Sequence, residues 1–149
     1  MRKRGAHIRH RAKAPPGLVV QALDKTYEVR LRSAVESFRS GYTAAAHFND
    51  LADTHDLMKL ALAIYGKGDA GAEAALEISG VALWNIRDRY TERGRWGATG
   101  EELKALDLLA QTSLDYWNRR SGALFAEAYR QLQKIRREQR EKEKSDAAH

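Results

Sequence analysis

From Tyr27 to Ile135 the apolar residues recur at alternating steps of three and four, and no stretch shows the two-residue alternation of a half-buried strand. That period is the signature of amphipathic helices packed on one another. The expected fold is all-α, a bundle of four or five helices with a flexible basic N-terminal arm and a basic C-terminal helix that can project beyond the body.

Tyr27, Leu31, Ala34, Val35 and Phe38 fall on one face of a first helix, with Arg30, Arg32, Glu36 and Arg39 opposite. Ser40-Gly41 ends it, glycine suiting the left-handed cap position. Thr43 is placed to cap a second helix, whose seam is Phe48, Leu51, His55, Met58, Leu62 and Tyr65. Gly66-Lys67-Gly68 stops that helix, and Asp69 caps a third running to about Glu92. Ala75, Leu76, Ile78, Val81, Ala82, Leu83, Trp84, Ile86 and Tyr90 cover much of its circumference, which marks it as the central, most buried helix. Thr99 and Glu102 form a capping box ahead of Leu103, Leu106, Ala110, Leu114 and Trp117.

At Ser121-Gly122 the pattern hesitates, since glycine inside a helix costs about 1 kcal/mol. Two helices separated by a Ser cap are expected, although one long kinked helix satisfies the same pattern. Leu124, Phe125, Ala128, Leu132 and Ile135 carry the chain to about Lys144. The division that follows is an arm at 1–17, a single helical domain at 18–144 and a disordered tail at 145–149.

A chain of 149 residues fits one domain with an ordinary core. It has no cysteine, which excludes disulfides and thiolate metal sites and suits a reducing compartment. No apolar run approaches the roughly 20 residues of a membrane helix, and the basic start has no apolar segment behind it. A cytoplasmic location without membrane contact is expected.

The net charge of +6 is uneven. Residues 1–17 hold Arg2, Lys3, Arg4, Arg9, Arg11 and Lys13 with no acid before closing on Pro15-Pro16-Gly17, and residues 130–149 hold seven Lys/Arg against four Asp/Glu. The body between them sums to −3. Basic ends attract polyphosphates through a long-range field and counterion release, and an acidic protein or anionic surface would meet the same charge.

The stretch most suggestive of chemistry runs from His47 to Asp56, with two histidines and the carboxylates Asp50, Asp53 and Asp56 within ten residues. Metal ligands on one helix must share a face at i, i+3 or i+4. His47 and Asp50 do, whereas His55 sits on the apolar seam, so the expectation is an acidic exposed face and one core histidine. Glu101 and Glu102 stand in a first helical turn, where the macrodipole and capping box explain them. No serine elbow, P-loop or dinucleotide fingerprint is present. No catalytic residue, metal site or cofactor is expected.

The loop Arg93-Gly94-Arg95-Trp96-Gly97 is more specific than its surroundings, with Arg87 and Arg89 just upstream. Arginine forks onto phosphate or carboxylate, and tryptophan anchors interfaces or stacks on bases. Alternatively Trp96 closes over the core as a lid. A mixed placement is expected, one ring face packed and the other exposed.

Arg-Gly-Arg-Trp-Gly-Ala-Thr-Gly at 93–100 resembles a group of short proteins carried by prophages and plasmids of Gram-negative proteobacteria, often labelled regulators similar to the Fis family of DNA-benders. The MRKR start, Arg-Ser-Gly-Tyr-Thr at 39–43 and Phe48-x-x-Leu51 join in, and the likeness spans roughly residues 27–137. It implies a mobile-element origin and transfers no functional residues. A helix-turn-helix needs a tight turn before a recognition helix, and the step at Gly41-Tyr42-Thr43 precedes a helix whose exposed face is acidic.

The expected function is therefore a non-enzymatic phage or plasmid accessory protein that contacts nucleic acid, DNA or RNA, or a nucleoprotein complex. Arg2, Lys3, Arg4, Arg9, Arg11, Lys13, Arg136, Arg137 and Arg140 would be its phosphate contacts. The alternative is a protein-binding module that inhibits a host or defence complex through Arg93, Arg95 and Trp96. Self-association is left open.

Overall fold

A computed structural model describes residues 25–65, 69–120 and 122–148. Among them are five helices and no strand: α1 Lys25–Ser40, α2 Ala45–Tyr65, α3 Ala70–Arg93, α4 Gly100–Asn118 and α5 Gly122–Ala147. The all-α bundle follows, and the break before Gly122 separates two helices. The last helix runs three residues past the expected end near Lys144. The basic arm with Arg2, Lys3, Arg4, Arg9, Arg11 and Lys13, the Pro15-Pro16-Gly17 stop, the apolar start at Leu18, the Gly66-Lys67-Gly68 stop and the Ser121 cap lie outside the described residues.

The apolar seams do what their spacing dictates. Leu31, Ala34 and Val35 of α1, Leu51 and Met58 of α2, and Leu106 and Leu109 of α4 are all buried, and α5 closes the core with Leu124, Phe125, Ala128 and Leu132. Phe125 stands edge-on to Trp117 at 4.8 Å and to Tyr27 at 6.1 Å, so one aromatic cluster joins α1, α4 and α5. The Tyr27 hydroxyl lies 3.1 Å from Thr54 Oγ1 and 3.3 Å from Ser113 Oγ. These three buried hydroxyls satisfy one another and pin the register of α1, α2 and α4. Burial raises the Tyr27 phenol above its ordinary value, against the opposing pull of its Ser113 and Thr54 bonds.

Two expectations are corrected. The central helix is α2, which packs against all four others, and not α3. Helix α3 leaves Ile78, Val81 and Trp84 facing solvent, because its buried stripe at Ala75, Ser79, Ala82 and Ile86 already seats it on its neighbours. Nor does Thr43 cap α2. Gly41, at φ 79°, turns the chain so tightly that the Gly41 and Tyr42 amides both donate to the Ser37 carbonyl. Thr43 is thereby brought back over α1, 3.1 Å from Ser37 Oγ, and the Ala44 amide donates instead to His47 Nδ1 at 2.9 Å.

Candidate functional site

Helix α3 is held at both ends by local chemistry. Asp69 accepts from the Ala72 amide at its start, and Gly94, at φ 71°, ends it with an amide that donates to the Tyr90 carbonyl. Between these caps, Ile78, Val81 and Trp84 are 52, 60 and 66% exposed. They occupy three successive turns of one face, an arrangement unlike the scattered single apolar residues of an ordinary surface.

Beside this face runs a groove between α2 and α3. His55, Lys59, Leu76, Glu77, Gly80, Val81 and Trp84 enclose about 420 Å³, and a second hollow of about 200 Å³ continues it toward Phe48 and Arg87. The two share His55, Gly80 and Trp84. His55 Nε2 donates to the Leu76 carbonyl at 3.0 Å, and it sits 3.0 Å from where a β-carbon on residue 80 would lie. A β-carbon there would push the imidazole back by a few tenths of an ångström, so glycine suits this close approach. The groove floor is therefore a preset contact, with His55 Nδ1 also 3.1 Å from Asp56.

Exposed acids of α3 surround this apolar face, while the groove beside it carries both signs, Lys59 and Arg87 standing with Glu77 and Asp56. Taking about 100° per residue, Glu73, Glu77, Asp88 and Glu92 all lie within about 80° of Val81, while Arg87 and Arg93 stand about 120° away. All four acids are exposed. The remaining cation of α3, Arg89, turns away from this face. Its guanidinium donates to both carboxylate oxygens of Glu102 at 3.0 Å and to the Gly97 carbonyl at 2.9 Å.

The residues singled out in the sequence are scattered. Trp96 is stacked on both faces, on Tyr90 at 3.9 Å and on Phe48 at 4.6 Å. The mixed placement is thus corrected: neither ring face is open to a base or a partner, because the capped α3 end and the Arg89–Glu102 clamp hold the loop down. Arg93 and Arg95 are exposed on that loop. Arg136 reaches inward to pair with Asp53, with Asp56 at 3.8 Å, and the Asp53 bond heads the causes that raise its pKa. That pairing fastens α5 to α2.

Arg137 and Arg140 are exposed on the outer length of α5. There, however, Arg137, Arg140, Lys142 and Lys144 are matched by Glu138, Glu141, Glu143 and Asp146, so residues 137–148 carry no net charge. An exposed helix of this alternating kind is stabilised by its own i,i+4 pairs.

The capping box at Thr99 and Glu102 is present, Thr99 accepting from the Glu102 amide at 3.2 Å and Glu102 from the Thr99 amide at 2.8 Å. Burial pushes the Glu102 carboxyl up, but the Arg89 guanidinium and the Thr99 amide and hydroxyl outweigh it and hold the group below the usual carboxylate range. Among the described residues, no group of three or more His, Asp or Glu is placed to hold a metal ion, and no helix is long and apolar enough to cross a membrane. Of the His47–Asp56 set, His47 caps α2, Asp50 pairs with Arg30 at 2.7 Å and Asp53 pairs with Arg136.

Sequence reasoning noticed Ile78, Val81 and Trp84 and placed them inside. The signal that they lie outside was present in residue size: the opposite stripe is alanine and serine, which lets a neighbouring backbone come close. Family models, curated proteins and solved structures were compared with the chain, and none of them matches it.

Proposed function

We propose that this chain is a non-enzymatic accessory protein that works by docking on another protein through the outer face of α3. One observation carries the reading: Trp84, Val81 and Ile78 are each more than half exposed on successive turns of a well-capped helix. Exposed tryptophan beside aliphatic residues is the composition of interface hot spots. The acids most suggestive of catalysis support binding instead, since Asp50, Asp53 and Glu102 are each held by an arginine. The Arg93–Trp96 loop moves from anchor to support, because its tryptophan is occupied. Its likeness to short prophage and plasmid proteins favours a mobile-element setting.

A second reading, nucleic-acid contact through basic ends, is favoured by a specific stripe. Arg130, Lys134 and Arg137 are exposed at i, i+4 and i+7 on α5, and the arm at 1–17 adds six cations. Such contacts position a protein on phosphate without reading sequence.

One experiment separates the two. Immobilised full-length chain is exposed to nuclease-treated extract of its source cells at physiological and at high salt, beside a Trp84→Glu variant. Docking predicts a partner protein that survives nuclease and high salt and is lost from the variant. Capture that disappears with nuclease or salt, and persists in the variant, overturns it in favour of phosphate contact.

A further inference from the structure

Resting on that docking reading, we infer that the partner on the outer face of α3 is a second copy of this chain, packed antiparallel about a two-fold axis level with Ala82. Six residues carry the contact. Glu73, Glu77, Gly80, Trp84, Arg87 and Thr91 follow one another at steps of four, three, four, three and four. At about 100° per residue they fall within about 80° of one another, a single seam along the helix. Gly80 is half-buried and the other five are exposed.

Those steps are the same in both directions, so an antiparallel copy matches the seam position for position. Centred on Ala82, the reversal sets Gly80 opposite Trp84, Glu77 opposite Arg87 and Glu73 opposite Thr91, each pair occurring twice. The largest side chain of the seam meets the smallest residue, and an acid meets a cation. Trp84 of the other copy is brought to the hollow of about 420 Å³ that His55, Lys59, Glu77, Gly80 and Val81 help to line. A parallel copy fails, because it sets Glu73, Glu77 and Arg87 each on its own twin.

A face that docks on itself must carry its own complement, since the same residues stand on both sides. This groove carries both signs, Lys59 with Glu77 in one hollow and Arg87 with Asp56 in the other. Asp56 is engaged within the chain, 3.1 Å from His55 and 3.8 Å from Arg136. Arg30, Arg89 and Arg136 are likewise held by acids of their own bundle. Glu77 and Arg87 are exposed at the rim, where the reversal gives each the opposite charge.

Sedimentation equilibrium of the full-length chain tests this. The parent should form a dimer, and Trp84→Glu should weaken it at least about tenfold, as loss of a central hot-spot residue does. Glu77→Arg and Arg87→Glu should each weaken it to a similar degree, because each sets like charges face to face. The combinations fix the register. An equal mixture of the two charge variants should dimerise again, and so should a chain carrying both changes, since opposite charges then face each other once more. Val29→Glu, at an exposed valine of α1, should leave the dimer intact. Circular dichroism of each variant checks that the helices are retained.

A parent that stays monomeric up to about 1 mM overturns the inference. So does a dimer that the two charge variants leave unchanged, or one that neither the mixture nor the double change restores. If the parent is monomeric while extract capture is still lost in Trp84→Glu, the partner is a different protein, and the docking reading stands without this inference. If the parent is monomeric and capture is also indifferent to Trp84→Glu, both fall.

Discussion

Helices α3 and α4 are neighbours and share the most extensive contact in the bundle, and they dispose of their apolar side chains in opposite ways. Helix α4 turns Leu106, Leu109, Leu114, Tyr116 and Trp117 inward and leaves only Leu108 among its large apolar residues outside. Helix α3 buries Ala72, Ala75, Ser79 and Ala82 with Leu76, Leu83 and Ile86, and turns Ile78, Val81 and Trp84 out. The contrast shows that hydrophobic content does not place a helix. A stripe of small residues allows close approach and is itself enough to be buried, which frees the larger residues on the far side. In α4 the amphipathic pattern serves the fold, and in α3 part of it is left over for something else.

The comparison breaks most easily on stability. Leu109→Ala removes a fully buried side chain from α4 and should cost about 2–5 kcal/mol, whereas Trp84→Ala on α3 should stay within about 0.5 kcal/mol. Denaturant titration of the two variants measures both. Equal losses would mean that Trp84 packs as Leu109 does, and the contrast between the helices would go.

Next in size is the loop that joins the pair. Trp96→Ala removes a ring stacked on Tyr90 of α3 and Phe48 of α2 and should cost about 2–3 kcal/mol, part burial and part aromatic stacking. A melting curve like that of the parent would return Trp96 to the surface and reopen its use as a partner anchor.

The smallest effect sharpens the joint between the helices. Glu102 of α4 accepts from Arg89 of α3, and Glu102→Gln should cost about 1–2 kcal/mol at neutral pH. Its carboxyl is held below the ordinary value in the folded chain. The contribution is therefore complete above the unfolded value of about 4.3 and is lost as pH falls through the lower folded value. Chemical denaturation across that range should show the gap between parent and variant closing in acid. A gap that is constant with pH would remove the ion pair from the joint.

Much of the fold was legible because it depends on local chemistry. The seams of α1 and α2, the Asp69 cap, the left-handed Gly41, the Thr99–Glu102 box and the break before Gly122 each follow from residue type and spacing within one or two turns. His55 was placed on the seam by the same period, although its partner was not. The Leu76 carbonyl and Gly80 lie on another helix, and a glycine in mid-helix reads only as a weak point until the ring against it is known.

What the sequence by itself determined is therefore the set of helices, their ends, and the segregation of positive charge to the two ends of the chain. Only the tertiary structure decided which helix is central, which arginines are held and which apolar residues remain outside. Arg89 and Arg136 look like their exposed neighbours in the chain, yet one clamps Glu102 and the other pairs with Asp53. The reason is physical. Periodicity gives each helix an apolar direction, but burial depends on which neighbours fill that direction. When a helix is apolar nearly all round, as α3 is, its period cannot say which side the bundle takes. That choice was made by the closest approach its small residues allow, and it left Ile78, Val81 and Trp84 exposed to solvent.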